Sequence, residues 1–317
     1  MSTVGPATVP VELPRGLLHP RHWGTWLGVG IFWLFSQLPM TLRHRAAAPV
    51  GGLAWRYNHK RRDIALKNLE LCFPDWSTLR RAQVARAHFT IMARSLLDIG
   101  QVWFASDEKI RRLTELRGWE HVEAARREGK NIIYNVGHFA ALDFGAMAIG
   151  QQEPSMGPYN AARNPVVDWL IARGRRRFGN TVFERSDGMM AYTRTLKRGK
   201  ALYTLSDEDL GPEVSVFAPF FAEPKATLPM IGRLARLTNA AVFPLMTRFD
   251  PDRRRYVTTI FPPIEDFPVK DAVENATKMN RSLEKMILLA PEEYMWTLRL
   301  FKTRPDGGRV YHHQSVK

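Results

Sequence analysis

Residues 131–145, Asn131-Ile-Ile-Tyr-Asn-Val-Gly-His-Phe-Ala-Ala-Leu-Asp-Phe-Gly145, constrain the fold more than any other stretch. Ile132, Ile133 and Val136 read as a buried strand. Gly137 permits a sharp turn after it, and Ala140 to Ile149 read as the start of a helix. This segment carries one ionisable pair, His138 and Asp143, at H-x4-D spacing. Histidine exchanges protons near neutral pH, and a carboxylate can hold its ring and stabilise its cation. On a continuous helix two positions five apart are separated by about 140°. The side chains therefore meet only if His138 sits in the turn with Asp143 folded back onto it. Taken alone the pair has two readings, a structural hydrogen bond or a catalytic dyad. Its place after a strand favours the second, because loops at strand ends commonly carry sites.

The remaining periodicities predict helices at Arg62–Leu71, Ser77–Asp98, Glu120–Arg127 and Asp271–Leu289, with Val84, Phe89, Met92 and Leu96 facing inward on the second. Asn164-Pro165 reads as an N-cap and first turn, opening a helix with Val166, Val167, Leu170 and Ile171 on one face. Further strands are expected at Ala201–Leu205, Ala240–Met246 and Tyr256–Phe261. Helix–strand alternation of this kind predicts a single α/β domain over residues 45–307. A polar tail follows at 308–317, where His312 and His313 read as surface residues.

Ahead of that domain, residues 1–20 carry four prolines and read as irregular. Trp23–Met40 is an apolar run interrupted by Thr25, Ser36 and Gln37, and its 18 residues reach the lower limit for a membrane span. Trp23, Trp26 and Trp33 suit a membrane interface. Only Arg15 and Arg21 precede the run, whereas Arg43, Arg45, Arg56, Lys60, Arg61, Arg62 and Lys67 follow it. The positive-inside rule then places everything beyond residue 42 on the cytoplasmic side. Residues 1–44 are accordingly expected to form a tail and a membrane anchor helix, the other reading being a buried or interfacial helix.

Lys and Arg outnumber Asp and Glu 46 to 31, a formal net charge of +15, which attracts nucleic acid, anionic headgroups or an acidic protein without choosing among them. A single cysteine, Cys72, excludes an intrachain disulfide framework and reads as buried. The sequence has no G-x-S-x-G, P-loop, H-E-x-x-H or C-x-x-C motif, and its histidines form no metal-ligand spacing. Residues 163–200 hold ten basic residues (Arg163, Arg173, Arg175, Arg176, Arg177, Arg185, Arg194, Lys197, Arg198, Lys200) against Asp168, Glu184 and Asp187, a net +7. That stretch is either a solvated face or a site for phosphate oxygens, which arginine forks bind in pairs, with Trp169 suited to touching lipid. Ser206-Asp-Glu-Asp-Leu-Gly211 directly follows a predicted strand. Its three carboxylates can bind a metal, order an arginine or stay solvated, and ordering a neighbouring arginine is the most economical of these.

His138-Phe-Ala-Ala-Leu-Asp143, Asn164-Pro-x-x-Asp-Trp-Leu170 followed by Gly174-Arg175, and Asp207-x-Asp-x-Gly211 resemble, in order and spacing, the late acyltransferases of lipid A biosynthesis. These lauroyl and myristoyl transferases lie within the lysophospholipid acyltransferase superfamily. Ser215-Val-Phe-Ala-Pro-Phe-Phe221, Val242-Phe-Pro244, Asn68-Leu-x-x-Cys-Phe-Pro74, Tyr294-Met-Trp296 and Phe301-Lys-Thr-Arg-Pro305 extend the resemblance over residues 20–307. Many members look like H-x4-E where this chain has Asp143. The resemblance implies a central mixed sheet flanked by helices and an enzyme on the cytoplasmic face of the bacterial inner membrane. It would move a fatty acyl chain from acyl carrier protein to a hydroxyl of a hydroxyacyl chain on a Kdo-bearing lipid A precursor. No metal or redox cofactor and no nucleic acid would take part. It further implies His138 as general base oriented by Asp143, with Arg175 and Asp207 in the site. Arg163, Gly174, Arg176, Asp209 and Gly211 would contact substrate. Asp207 is expected to hold Arg175.

Overall fold

The computed structural model describes residues 12–184 and 188–311, so Arg185, Asp187, His312 and His313 lie outside the described residues. The fold is built outward from β2 (Asn131–Val136), whose side chains alternate between two apolar layers. Ile133 packs on one face with Leu202, Val242, Leu234 and Met279. On the other face Ile132 and Tyr134 pack with Val122, Ile149 and Phe243. A strand covered on both faces reads as a continuous apolar run rather than an alternating one, which is why this segment is conspicuous in the sequence.

Nine strands are described. Besides β2 these are β1 (Thr114–Arg117), β3 (Ser155–Tyr159), β4 (Thr181–Glu184), β5 (Ala201–Leu205), β6 (Val216–Phe220), β7 (Glu223–Thr227), β8 (Ala240–Asp250) and β9 (Arg255–Ile260). Seven form one sheet in the order β1-β9-β8-β2-β5-β3-β4, parallel throughout except between β8 and β9. The expected mixed sheet flanked by helices is present. β6 and β7 form a separate antiparallel hairpin that sets Pro219 opposite Pro224. Proline lacks the N–H that a ladder needs and is confined to edges, so this hairpin carries no strand signature in the sequence. β1, β3 and β4 were likewise not expected. β1 and β4 are short edge strands, and β3 contains Gly157 and Pro158.

Among the described residues eleven α-helices accompany the sheet: α1 (Trp23–Ser36), α2 (Met40–Tyr57), α3 (His59–Cys72), α4 (Thr78–Phe104), α5 (Asp107–Leu113), α6 (Trp119–Arg127), α7 (Leu142–Gly150), α8 (Pro165–Arg175), α9 (Gly188–Lys197), α10 (Met230–Thr238) and α11 (Ala272–Leu289). Three of the starts carry a side-chain cap at Ser77, Asn164 and Asp271. Ser77 Oγ accepts from Arg80 N at 3.2 Å, Asn164 Oδ1 from Val166 N at 3.0 Å, and Asp271 Oδ1 from Glu274 N at 2.7 Å. The side chain of Leu96, expected inside, is instead 62% exposed and lies on a cavity described below. Cys72 is buried as expected, and its surroundings push its thiol well up, burial being the largest cause.

The apolar run Trp23–Met40 does not form one helix. Pro39 sits where α2 begins, and α1 ends three residues earlier, at Ser36. Its 14 residues span about 21 Å at 1.5 Å per residue, short of the roughly 30 Å of a bilayer core. No helix among the described residues is long and apolar enough to cross a membrane. One face of α1 is docked on the domain. Trp26 meets Trp169 edge to face at 6.2 Å, and Phe32 meets Trp103 at 5.5 Å. Trp169, expected to touch lipid, is thus buried under α1 with its indole N–H on the Glu12 carbonyl. The expected boundary at residues 44 and 45 falls inside α2, and Arg43, counted among the basic residues that follow the run, is buried against Asp98 at 2.7 Å.

Candidate active site

β2 and β5 are neighbouring parallel strands, with Val136 paired to Leu205. Both chains leave the sheet at the same edge, so the residues two places beyond, His138 and Asp207, emerge side by side. Ligand sites of parallel sheets lie at this carboxyl edge. His138 Nδ1 lies 2.6 Å from Asp207 Oδ1, and the His138 backbone N–H donates to Asp207 Oδ2 at 2.7 Å. Tyr294 O–H also donates to Oδ2, at 2.9 Å. Burial alone would raise the Asp207 carboxyl, but the His138 charge, these hydrogen bonds and the buried Lys225 ammonium outweigh it and hold it at about 2. Asp207 is therefore a carboxylate, fixed at three points, that presents itself to one ring nitrogen.

The turn carrying His138 is braced from the far end of the chain. Ala140 N–H donates to the Glu293 carbonyl at 2.9 Å, and Met295 N–H to the His138 carbonyl at 2.8 Å. Gly137 does not adopt the left-handed backbone its turn role suggested. Its requirement is space, since a Cβ there would lie 2.5 Å from Leu283 and 2.9 Å from the Phe139 ring. His138 does leave the strand in the turn, as the H-x4-D spacing demanded.

The assignment of the two aspartates is the reverse of that expected. Asp207, not Asp143, holds His138 Nδ1, and Asp143 is the partner of Arg175, whose Nε donates to Asp143 Oδ1 at 2.7 Å. Asp143 stands in the first turn of α7 and Arg175 is the last residue of α8, two helices packed together at the sheet edge. Asp143 is the largest of the influences raising the Arg175 guanidinium above its ordinary value. All four residues that sequence reasoning placed in the centre are thus there, in two pairs rather than in the pairs foreseen.

His138, Asp143 and Arg175 share the wall of a cavity of about 540 Å³. Glu208 is also on this wall, with Oε1 at 3.5 Å from His138 Nε2. Away from these groups the cavity runs between α4 and α8 and is apolar, lined by Met92, Leu96, Ile99, Trp103 and Ile171. A polar end with a base and a cation, continued by an apolar trough, fits an amphiphile whose reactive carbonyl lies at the head.

The residues expected to contact substrate divide differently. Gly174 is buried where a Cβ would lie 2.8 Å from Trp103, so it serves packing beneath the cavity. Asp209 accepts from Gly211 N at 3.0 Å and from both Thr303 N and Thr303 Oγ1, at 2.5 and 2.8 Å, tying the loop to the C-terminal segment. Gly211 turns that loop with φ +100°. Arg163 is exposed and Arg176 half-buried, and neither lines the cavity. No group of three or more metal-ligating side chains occurs among the described residues, and the carboxylates of residues 207–209 order a histidine and a threonine rather than an arginine. Sequence reasoning assigned no role to Glu208 or Tyr294. The first stood in the acidic run and the second in a quoted motif, but only the register of β2 against β5 reveals what they face.

A histidine held by a buried carboxylate beside a cation and an apolar trough suits acid–base chemistry on an amphiphile. The profile of the bacterial lipid A biosynthesis acyltransferases matches residues 13–303. The lipid A biosynthesis lauroyltransferase of Escherichia coli K12 is 40% identical over 300 residues, covering 93% of this chain and 98% of that protein. The myristoyltransferase and palmitoleoyltransferase of the same pathway and organism are 35% and 34% identical over 297 residues, again 93% of this chain and 92% and 96% of theirs. The chain belongs to the bacterial lipid A biosynthesis acyltransferase family and is an acyltransferase.

Proposed function

We propose that this enzyme transfers a fatty acyl chain from acyl carrier protein to a hydroxyl of a hydroxyacyl chain on a Kdo-bearing lipid A precursor, with His138 as general base. The observation that carries this reading is the 2.6 Å contact between His138 Nδ1 and buried Asp207 at the head of the apolar cavity. With Nδ1 on the carboxylate, Nε2 takes the proton of the acceptor hydroxyl as its oxygen attacks the thioester carbonyl. A C–O bond forms, the C–S bond breaks, and the imidazolium returns the proton to the departing thiolate. The tetrahedral oxyanion needs fixed donors. The amides of His138, Phe139 and Ala140 are engaged by Asp207, the Gly137 carbonyl and the Glu293 carbonyl. Arg175, which lines the same cavity with its Nε on Asp143, is the donor in this reading.

Relatives named for lauroyl, myristoyl and palmitoleoyl transfer support lipid A as the acceptor while differing in the chain moved. The competing acceptor is a lysophospholipid. Purified enzyme offered one acyl carrier protein thioester with both acceptors together is expected to acylate the lipid A precursor, read by product mass. Acylation of the lysophospholipid alone would overturn the assignment.

The enzyme is further proposed to work at the cytoplasmic face of the inner membrane, lying on it rather than spanning it. Trp23, Leu27, Ile31 and Leu34 recur at helical spacing on the undocked face of α1, each more than 60% exposed. With a net charge of +15 on the chain, such an apolar stripe suits an anionic lipid surface. Substituting Leu27 and Ile31 together by Asp is expected to reduce vesicle co-sedimentation at least about tenfold, since each loses buried apolar area worth a few kcal/mol. Undiminished binding would assign attachment to the arginine-rich face instead.

A further inference from the structure

A second cavity, of about 580 Å³, is lined from α2, α3 and α4 and shares no residue with the one at His138. Its construction starts with two adjacent glycines. At Gly51 a Cβ would lie 2.6 Å from the Thr90 backbone, so α2 can sit directly on α4. Arg86, one turn before Thr90, is thereby brought to the flank of α2. At Gly52 a Cβ would meet nothing within 4 Å, and the missing side chain leaves a dent on α2. Three arginines share this dent: Arg56 from α2, Arg62 from α3 and Arg86 from α4. Trp55 steadies one of them. Its ring packs edge to face on Phe89 at 5.4 Å, and the Arg62 guanidinium lies 5.8 Å from the ring centroid. Among the described residues no acidic side chain lines the cavity. Arg62 has Asp63 at 3.5 Å, a carboxylate 63% exposed and so weakly felt, and no ion pair of Arg56 or Arg86 occurs among the described residues.

We propose that this pocket binds the phosphate of a lipid headgroup. Arginine forks match phosphate oxygens in pairs, and a pocket with three arginines and no acid favours concentrated negative charge. The apolar surface beside it assigns that phosphate to a lipid. Leu42, Val50, Leu53 and Tyr57 are all exposed and fall within about 80° of arc on α2, with Gly52 and Arg56 bordering this stripe. A helix of this kind suits a lipid interface, its apolar side chains among the acyl chains and its cations at headgroup level. A free phosphate or a nucleotide would leave the stripe in water. The proposal rests on the reading that the enzyme works against a lipid surface, and on no step of acyl transfer. Two sources offer the same chemistry, a bulk membrane phospholipid and the phosphorylated acceptor itself.

The test is co-sedimentation of full-length variants with phosphatidylcholine vesicles containing phosphatidylglycerol. A second arm measures binding to the phosphorylated lipid A precursor held in neutral detergent micelles. R56Q/R62Q/R86Q is compared with R233Q/R236Q/K270Q, which removes the same charge from exposed residues on α10 and ahead of α11. The first triple is expected to weaken binding at least about tenfold in one arm or both, and the second less than about threefold. Loss in the vesicle arm alone names the membrane phospholipid, and loss in the micelle arm names the acceptor. G52Q fills the dent without changing charge and should weaken binding in the same arm, which keeps the test decisive if the first triple melts early. Equal losses in the two triples would show net charge acting alone and overturn the proposal, as would undiminished binding of both the first triple and G52Q. The variant with Leu27 and Ile31 replaced by Asp reads α1 separately. If it binds like the wild type while the first triple does not, the α1 reading fails and the pocket stands.

Discussion

Asp207→Asn is expected to lower kcat/KM for acyl transfer by about 10³- to 10⁴-fold while leaving the far-UV circular dichroism unchanged. The side chain keeps its shape, but an amide cannot stabilise the imidazolium. It also presents a donor where Nδ1–H needs an acceptor, favouring the wrong tautomer. His138→Ala should cost at least about 100-fold, and adding Asp207→Asn to it should cost little more, because the two act as one unit. Asp143→Asn discriminates the two aspartates. It leaves His138 Nδ1 on Asp207 and loosens only Arg175, so its cost should be the smaller. If Asp143→Asn proves more damaging than Asp207→Asn, the assignment of the orienting carboxylate is wrong. The dyad also bears on acid stability. The Asp207 carboxyl is depressed from 3.8 to about 2, so its contribution is fully present above the unfolded value and is lost as pH falls from about 4 through about 2.

The second large effect concerns stability rather than rate. Asp98 is 1% exposed and gathers Arg43 Nε at 2.7 Å, His44 Nε2 at 2.6 Å and the Tyr256 hydroxyl at 2.7 Å, joining α2, α4 and β9. Arg43 is 2% exposed, and its other recorded partners are the carbonyls of Ser36 and Leu38. Asp98→Ala strands this guanidinium in the interior and should destabilise the fold by about 3–5 kcal/mol, measured by denaturant unfolding. Replacing both members, Asp98→Ala with Arg43→Met, should recover much of that loss, since a buried pair exchanged for apolar groups is often neutral. A single-variant loss below about 1 kcal/mol would show that water reaches the pair and that the knot is weak.

The central strand, the capped start of α8 and the extent of α11 were legible because each rests on local chemistry: an apolar run, an Asn-Pro step, a helix period. What was not legible is long-range pairing. His138 and Asp207 stand 69 positions apart, and only the placement of β5 beside β2 brings them together, so the nearer aspartate was the natural candidate. Proline hid the β6–β7 hairpin for a related reason, its partner strand being the sole feature that marks it as a strand. Trp23–Met40 misled through composition. Its apolar content matches a membrane helix, but Trp26 and Phe32 pack against Trp169 and Trp103, and the helix stops at Ser36, before Pro39.

The brace across the catalytic turn also orders the making of the protein in time. His138 and Asp207 are synthesised well before the residues that brace them: the turn's carbonyl and amide partners are Glu293 and Met295, and the loop after Asp207 is tied to Thr303. A nascent chain lacking this last segment can form the parallel sheet but has nothing to close the turn upon. Activity therefore waits for the segment carrying Glu293, Met295 and Thr303, and a protein shortened before Glu293 would carry every expected catalytic residue without the strap that sets them.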